Sequence, residues 1–389
     1  MKAVVFHGTG DVRTENVPDP KLQAPTDCIL KVKKTALCGS DLHLFNGYNP
    51  AMQEGDILGH EFMGEILEVG HEVKNFKVGD RVIIPFTISD GTCWHCAHGY
   101  YSACETTNPN NKDLIKLYGY PGAALYGYSH LYGGIPGGQA EYVRVLLADR
   151  NAFKVPDSLS DEQALFVTDI FPTGYMAAEN ANVQPQGTVA IWGAGPVGQF
   201  AMKSAFLLGA ARVIMIDRVP ERLELAKHHG AEVLNYEEEK DVPEKLKDLT
   251  NGRGPDACID AVGLEAHAPG FEGMYDRVKQ TLKLETDRPA ALREAIRSAK
   301  PGSTLSIPGV YMGFIDTFPF GVAFGKGLTF KMGQTHVHAY AQKLLKFIED
   351  GKIDPTFLIS HRLSLDEAPK AYEIFRDKKD HCTKVVFTP

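Results

Sequence analysis

The chain has 389 residues, enough for two domains that each bury a core, and its 43% hydrophobic and 23% charged residues mark an ordinary globular protein. A formal charge of -8, with acidic and basic residues interspersed, leaves no basic patch to track phosphates and argues against a nucleic-acid partner. The opening "MKAVVFHGTG" is too poor in apolar residues for a signal-peptide core, and no later run approaches the roughly 20 needed to cross a bilayer, so a cytoplasmic protein with no membrane partner is expected.

Through about residue 155 the chain is rich in Gly and Pro and carries short β-branched runs, "CILKVKKTAL", "EILEVG", "DRVIIPF" and "AEYVRVLL". These predict a β-rich domain, a small partly open barrel. Inside it, "SDGTCWHCAHGYYSACE" (89–105) gathers Cys93, Cys96 and Cys104. Seven cysteines, an odd number in a chain without an export signal, favour reduced thiols, and clustered thiols then bind metal more often than they pair. Three of them look like a metal knuckle short of one ligand.

After "FKVPDSLS" the texture changes. Helical patterns ("DEQALFVTDI", "QFAMKSAFLLGA", "ERLELAKHHGA") alternate with apolar strands ("TVAIWGAG", "RVIMIDR", "ACIDAVG", "STLSIPGV"), which predicts parallel βαβ units with helices on both faces of a doubly wound sheet. From about residue 337 an amphipathic helix, "HAYAQKLLKFIEDGKI", precedes a last strand in "HCTKVVFTP" that returns to the first domain.

Gly193, Gly195 and Gly198 follow an apolar strand and open a helix, where glycine lets the backbone approach a pyrophosphate at the positive helix end. Thr173, Pro196, Val197 and, on a later strand, Val262 belong to the same candidate cofactor site. Asp217 ends the next strand 19 residues after Gly198, at the place of an acid that binds ribose hydroxyls and repels a 2′-phosphate, so NAD is expected over NADP. Arg218 blurs this, because it could stack on adenine or attract that phosphate.

"TALCGSDLHLFNG", "DILGHEFMGEILEVG", the "VGDRV" strand, "GGQAEYVRV" and "GAGPVG" together resemble the zinc-dependent medium-chain alcohol dehydrogenases over essentially the whole chain. The resemblance implies an α/β protein with a GroES-like β-rich catalytic domain, 1–170 and 337–389, and a Rossmann domain, 171–336, that binds NAD. It implies a catalytic zinc on Cys38 and His60, with Glu61 beside it as an occasional ligand and Asp41 behind His60. The third ligand falls on Asp169, where many members have cysteine; an aspartate there, with Thr173 and Gly174, is similar to the glutathione-independent formaldehyde dehydrogenase branch. A structural zinc is implied as well, its four-cysteine template falling on Asp90, Cys93, Cys96 and Cys104. Carboxylate oxygen is an acceptable zinc donor, which makes two zinc ions per chain; a vacant lobe, or His95 or His98 as substitute ligand, remain the competing readings, and a disulfide is the weakest.

By the same resemblance Ser40 accepts the proton of an alcohol, His43 passes it on, Phe86 walls the pocket and hydride goes to NAD. The substrate is then a small alcohol, or an aldehyde, whose hydrate also presents a hydroxyl; formaldehyde is one candidate. Aldehyde dismutation with tightly held NAD and NADH-dependent aldehyde reduction stay open. Residues 267–289 are similar to an insertion that lies against the cofactor in the formaldehyde branch, or form a surface loop. A homotetramer is implied by resemblance alone. A non-catalytic nucleotide binder has no use for Cys38, His60 and Asp169 together, and a zinc-ribbon nucleic-acid binder lacks the surrounding positive charge.

Overall fold

The computed structural model describes the chain apart from residues 240, 265–288, 312–314 and 316. It divides into two compact units, Met1–Pro172 with His336–Pro389, and Thr173–Thr335.

The first unit opens on a hairpin of β1 (Lys2–Gly8) and β2 (Asp11–Asn16). Its main sheet is organised around β3 (Cys28–Leu37), which pairs antiparallel with β4 (Glu61–Val69). β5 (Arg81–Ile84) extends the sheet from β4, β6 (Thr87–Ile88) pairs with β7 (Ala124–Leu125), β8 (Tyr142–Val145) joins β3, and β9 (Phe153–Lys154) joins β5. β3 exposes Lys31 near its middle, but Thr35, Ala36 and Leu37 at its end are all buried, so both faces are covered there. Leu30, Val32, Phe62, Ile66, Val82, Ile84 and Tyr126 fill the core against it.

The second unit is a six-stranded parallel sheet of β10 (Thr188–Trp192), β11 (Arg212–Asp217), β12 (Glu232–Asn235), β13 (Ala257–Asp260), β14 (Thr304–Ile307) and β15 (Thr329–Met332), in spatial order 12-11-10-13-14-15. Numbered from β10 this is 3-2-1-4-5-6, the doubly wound dinucleotide-binding order, whose strand order reverses between β10 and β13. Because strand side chains alternate, Ile191, Met215 and Ile259 pack on one face and Trp192, Ile216 and Cys258 on the other. The apolar runs are uninterrupted because each face has its own core. The last two strands, β16 (His361–Ser364) and β17 (Val385–Thr388), return to the first unit, where β17 pairs with β3.

One sequence expectation is corrected. "DEQALFVTDI" reads as one continuous helix, but it is a helix Asp161–Leu165, a 3-10 turn Phe166–Thr168 and a break at Asp169 (φ −154°, ψ −76°), all in the first unit. Thr168 causes the break: its Oγ1 donates to Leu165 O and its carbonyl accepts from the Phe86 amide, so it no longer serves the next turn. The 267–289 segment lies, up to residue 288, outside the described residues.

The helix Pro196–Leu207 starts so close to the end of β10 that a Cβ on Gly198 would fall 1.8 Å from Gly193 O. Gly198→Ala is therefore expected to destabilise the protein by about 2 kcal/mol through overpacking. Calorimetry should show a midpoint lower by roughly 4–8 °C.

Candidate functional site

The end of β3 and the start of β4 are antiparallel neighbours, with Ala36 opposite Glu61, so the residues just beyond, Cys38 and His60, are forced together. Asp169 arrives from the helix break. The donor atoms of Cys38, His60, Glu61 and Asp169 lie within 4.8 Å of one another, all four residues buried. Cys38 Sγ is 3.6 Å and His60 Nε2 3.3 Å from Asp169 Oδ2. Ser40 Oγ stands 3.1 Å from His60 Nε2.

The quartet is crowded with acidic groups in a buried setting. Burial, and then the Glu61 and Asp169 carboxylates, push the Cys38 thiol up to about 11. Burial works to lower the His60 pKa, yet the Asp41 carboxylate holds it well above the ordinary imidazole value. A thiolate and a carboxylate supply two negative charges and an imidazole adds a neutral nitrogen, which is a donor set suited to zinc.

Behind the donors, one buried carboxylate serves two of them. Asp41 is the third residue of the helix Gly39–Phe45, whose N-cap is Cys38. Its Oδ2 accepts from the Cys38 amide at 2.9 Å and its Oδ1 lies 3.0 Å from His60 Nδ1, which leaves Nε2 as the free donor face of the ring. Gln139 Nε2 also donates to Asp41, and Tyr372 O–H donates to Gln139 at 2.8 Å. Gly59 lets His60 sit there. Its φ is +97°, and a Cβ would strike Gln139 at 2.4 Å.

Phe86 stands edge-on to the His60 ring at 6.2 Å, and Tyr128 does the same at 6.4 Å. Burial raises the Tyr128 hydroxyl to about 12, so it stays a neutral wall. His43 follows Ser40 on the same helix and is buried, its ring 6.5 Å from Tyr48. Glu61 does not face the other donors alone: the ammonium of Lys384 is 2.6 Å from its Oε2, and both side chains are wholly buried. Burial works to lower the Lys384 pKa, and the Glu61 charge outweighs it and raises that pKa.

Sequence reading missed Lys384, Tyr128, Gln139 and Tyr372. A lysine ahead of a last strand, a tyrosine and a glutamine in Gly-rich stretches and a tyrosine on the helix Ala368–Asp377 carry no local signal of a site, since only long-range pairing brings them there.

In the lobe, donor atoms of Asp90, Cys93, Cys96 and Cys104 also lie within 4.8 Å of one another. Asp90 Oδ1 accepts from the amides of Thr92 and Cys93, and Oδ2 from Thr106 Oγ1 at 2.6 Å. Although partial burial opposes ionisation, these bonds hold the Asp90 carboxyl well below the usual range, so it is anionic and Oδ2 keeps lone-pair capacity for a metal. The sulfurs of Cys93 and Cys104 are 4.0 Å apart, far from the roughly 2.05 Å of a disulfide. His95 groups with Cys93 and Glu105 in an alternative trio, whereas His98 stacks on Trp94 and contacts Trp94 O.

In the second unit, Gly193 has φ +93°, and a Cβ there would meet Val262 Cγ2 at 2.8 Å. Gly195 differs from both other glycines. Its φ of −70° suits any residue, and an added Cβ would have one neighbour, Arg222 at 3.5 Å. The fold does not require glycine at 195; a ligand approaching the backbone between Ala194 and the helix-opening Pro196 and Val197 would. Asp217 Oδ2 accepts from Ala194 N at 2.7 Å and Oδ1 from the amides of Arg218 and Val219, which fixes the carboxylate beside the turn with acceptor capacity left over. The Arg218 guanidinium is 3.2 Å from Glu237. Thr173 is buried and its Oγ1 accepts from Thr335 Oγ1.

Residues 24–157 match the alcohol dehydrogenase GroES-like domain and residues 196–271 the zinc-binding dehydrogenase domain. An uncharacterised zinc-type alcohol dehydrogenase-like protein, AdhB, of Bacillus subtilis is 41% identical over all of both chains. The glutathione-independent formaldehyde dehydrogenase of Pseudomonas aeruginosa is 35% identical over 96% of this chain and 94% of its own. The solved alcohol dehydrogenase TADH from Thermus is 35% identical, with a TM-score of 0.83 over 100% of this chain and 99% of its own. With a GroES-like unit, a doubly wound parallel sheet and these relatives, the chain belongs to the medium-chain, zinc-type alcohol dehydrogenase family of oxidoreductases.

Proposed function

We propose that the protein oxidises a small alcohol or an aldehyde hydrate with NAD, at a catalytic zinc held by Cys38, His60 and Asp169. The observation that carries this reading is the buried donor quartet with Asp41 locked behind two of its members. Zinc, when bound, would supply the Lewis acidity that draws a hydroxyl pKa towards neutrality, and NAD the hydride acceptor. Everything else falls to the chain. Asp41 fixes the tautomer and orientation of His60, while Phe86 and Tyr128 keep water from the reacting hydroxyl. Ser40, 3.1 Å from the His60 donor nitrogen, is placed to take the substrate proton, and His43 on the same helix passes it outward.

The lobe donors Asp90, Cys93, Cys96 and Cys104 hold a second, structural zinc in this reading, supported by their mutual distances and the anionic state of Asp90. NAD lies on the glycine turn, with Gly195 left bare for its pyrophosphate and Asp217 taking the ribose hydroxyls. Arg218 does not offset Asp217, because Glu237 neutralises it, and that supports NAD over NADP. Formaldehyde hydrate is the aldehyde substrate to test first, on the likeness to the formaldehyde dehydrogenase. Cytoplasmic location and a homotetramer complete the reading.

Elemental analysis is expected to find two zinc ions per chain. Cys38→Ser should remove one together with turnover, and Cys93→Ser the other together with thermal stability. A single zinc that survives Cys38→Ser but not Cys93→Ser would contradict the catalytic site.

Asp217→Ala is expected to raise KM for NAD about tenfold or more, from the loss of two ribose hydrogen bonds worth about 1 kcal/mol each, and to relax discrimination against NADP. Gly195→Ala should weaken NAD binding while leaving the melting midpoint in place. Unchanged NAD affinity in both variants would move the cofactor elsewhere.

Gel-filtered enzyme given formaldehyde without added NAD separates the two product patterns. Equal formate and methanol over many turnovers indicate retained NAD and dismutation; activity only after NAD is supplied indicates plain dehydrogenation. No turnover of any short alcohol or aldehyde with NAD would refute the proposed reaction.

A further inference from the structure

The Lys384–Glu61 pair is unusual in its setting. Two opposite charges 2.6 Å apart and wholly excluded from water sit at the edge of a cluster that already holds a thiol, an imidazole and another carboxylate. Strand pairing puts the lysine there. Val386 faces Ala36 and Val385 faces Leu37, so the next residue, Lys384, falls opposite Cys38, while Ala36 faces Glu61 on its other side. The ammonium is thus delivered by the returning C-terminal segment to the one carboxylate that Asp169 and Cys38 do not need.

We propose that Lys384 is a positioning residue that sets the coordination number of the metal: by neutralising Glu61 it keeps that carboxylate off the cation and leaves one position open for substrate. This rests on reading the quartet as a zinc site. The charges explain why such a device is needed. Cys38 as thiolate and Asp169 as carboxylate together balance a dication, so Glu61 is a surplus anion. Its oxygen lies within 4.8 Å of the other three donor atoms, close enough for a rotamer change to make it a fourth protein ligand. A buried carboxylate does not remain uncompensated. With Lys384 present its counter-charge is the ammonium; with Lys384 removed, the nearest cation is the metal. Four protein ligands close a zinc site, as in structural centres, and three keep it catalytic.

The test uses the full-length protein with cobalt(II) in place of zinc, as wild type, Lys384→Met, Lys384→Arg, Glu61→Gln and the double variant Lys384→Met/Glu61→Gln. Azide titration of the visible cobalt spectrum reads the open position, and loss of metal to a chelator reads ligand number. Wild type, Lys384→Arg, Glu61→Gln and the double variant are expected to respond to azide. Lys384→Met is expected not to respond and to release metal roughly 10- to 100-fold more slowly. Restoration by the second substitution would identify Glu61 as the occupant. Azide binding by Lys384→Met as in wild type, or faster metal loss from it, would overturn the inference and leave the lysine a structural counter-ion. Should Lys384→Met not fold, Glu61→Gln still decides: loss of metal there, or an azide response present there and absent from wild type, would show that Glu61 is already a ligand, and the inference falls. A wild-type cobalt spectrum unaffected by Cys38→Ser would instead sink the zinc reading itself, and this inference with it.

Discussion

Charge crowding in one dry pocket governs this structure. Cys38, Glu61 and Asp169 meet there with Asp41 behind them, and the described cations that answer this charge are Lys384 and the His60 ring. Desolvated anions at such spacing are tolerable only with a compensating cation, and the backbone shows how firmly the arrangement is imposed. Antiparallel pairing of β3 with β4 and of β17 with β3 leaves Cys38, Glu61 and Lys384 no other place to go. Cys38, His60, Glu61 and Lys384 all lie at strand ends of one sheet, which holds these side chains more rigidly than a free loop would.

The second unit solves a different problem with the same economy of residues. Gly193 and Gly198 are required by the fold itself, one for its left-handed φ and the other for contact with a carbonyl. Gly195 has no such reason. That contrast separates the two glycines the fold requires from one whose bare backbone the fold leaves unexplained. Asp217, held by three backbone amides, is fixed before any cofactor arrives, so little ordering remains to be done on binding.

Much of the fold was legible from period and punctuation. The run "CILKVKKTAL" is β3 residue for residue, and the apolar runs from "TVAIWGAG" to "STLSIPGV" became parallel strands buried on both faces. The short strands β12 and β15 gave no comparable run, and the break at Asp169 was hidden because Thr168 ends the helix through partners distant in sequence. The donor residues could be named only through a family resemblance carried by local motifs, since Cys38 and Asp169 are 131 residues apart. Their partners could not. Lys384 reaches Glu61, and Tyr372 reaches Gln139, only through pairings that close across most of the chain, and a lone lysine or tyrosine advertises nothing of that.

The central claim, that the buried quartet is a zinc site of mixed sulfur, nitrogen and oxygen donors, is open to direct observation. Anomalous diffraction from a crystal of the purified protein, recorded on both sides of the zinc absorption edge, would locate every zinc ion without reference to activity. The account predicts one peak among Cys38, His60 and Asp169, with Glu61 still on Lys384, and a second among Asp90, Cys93, Cys96 and Cys104. A crystal of active enzyme with no anomalous peak at the first position would contradict it.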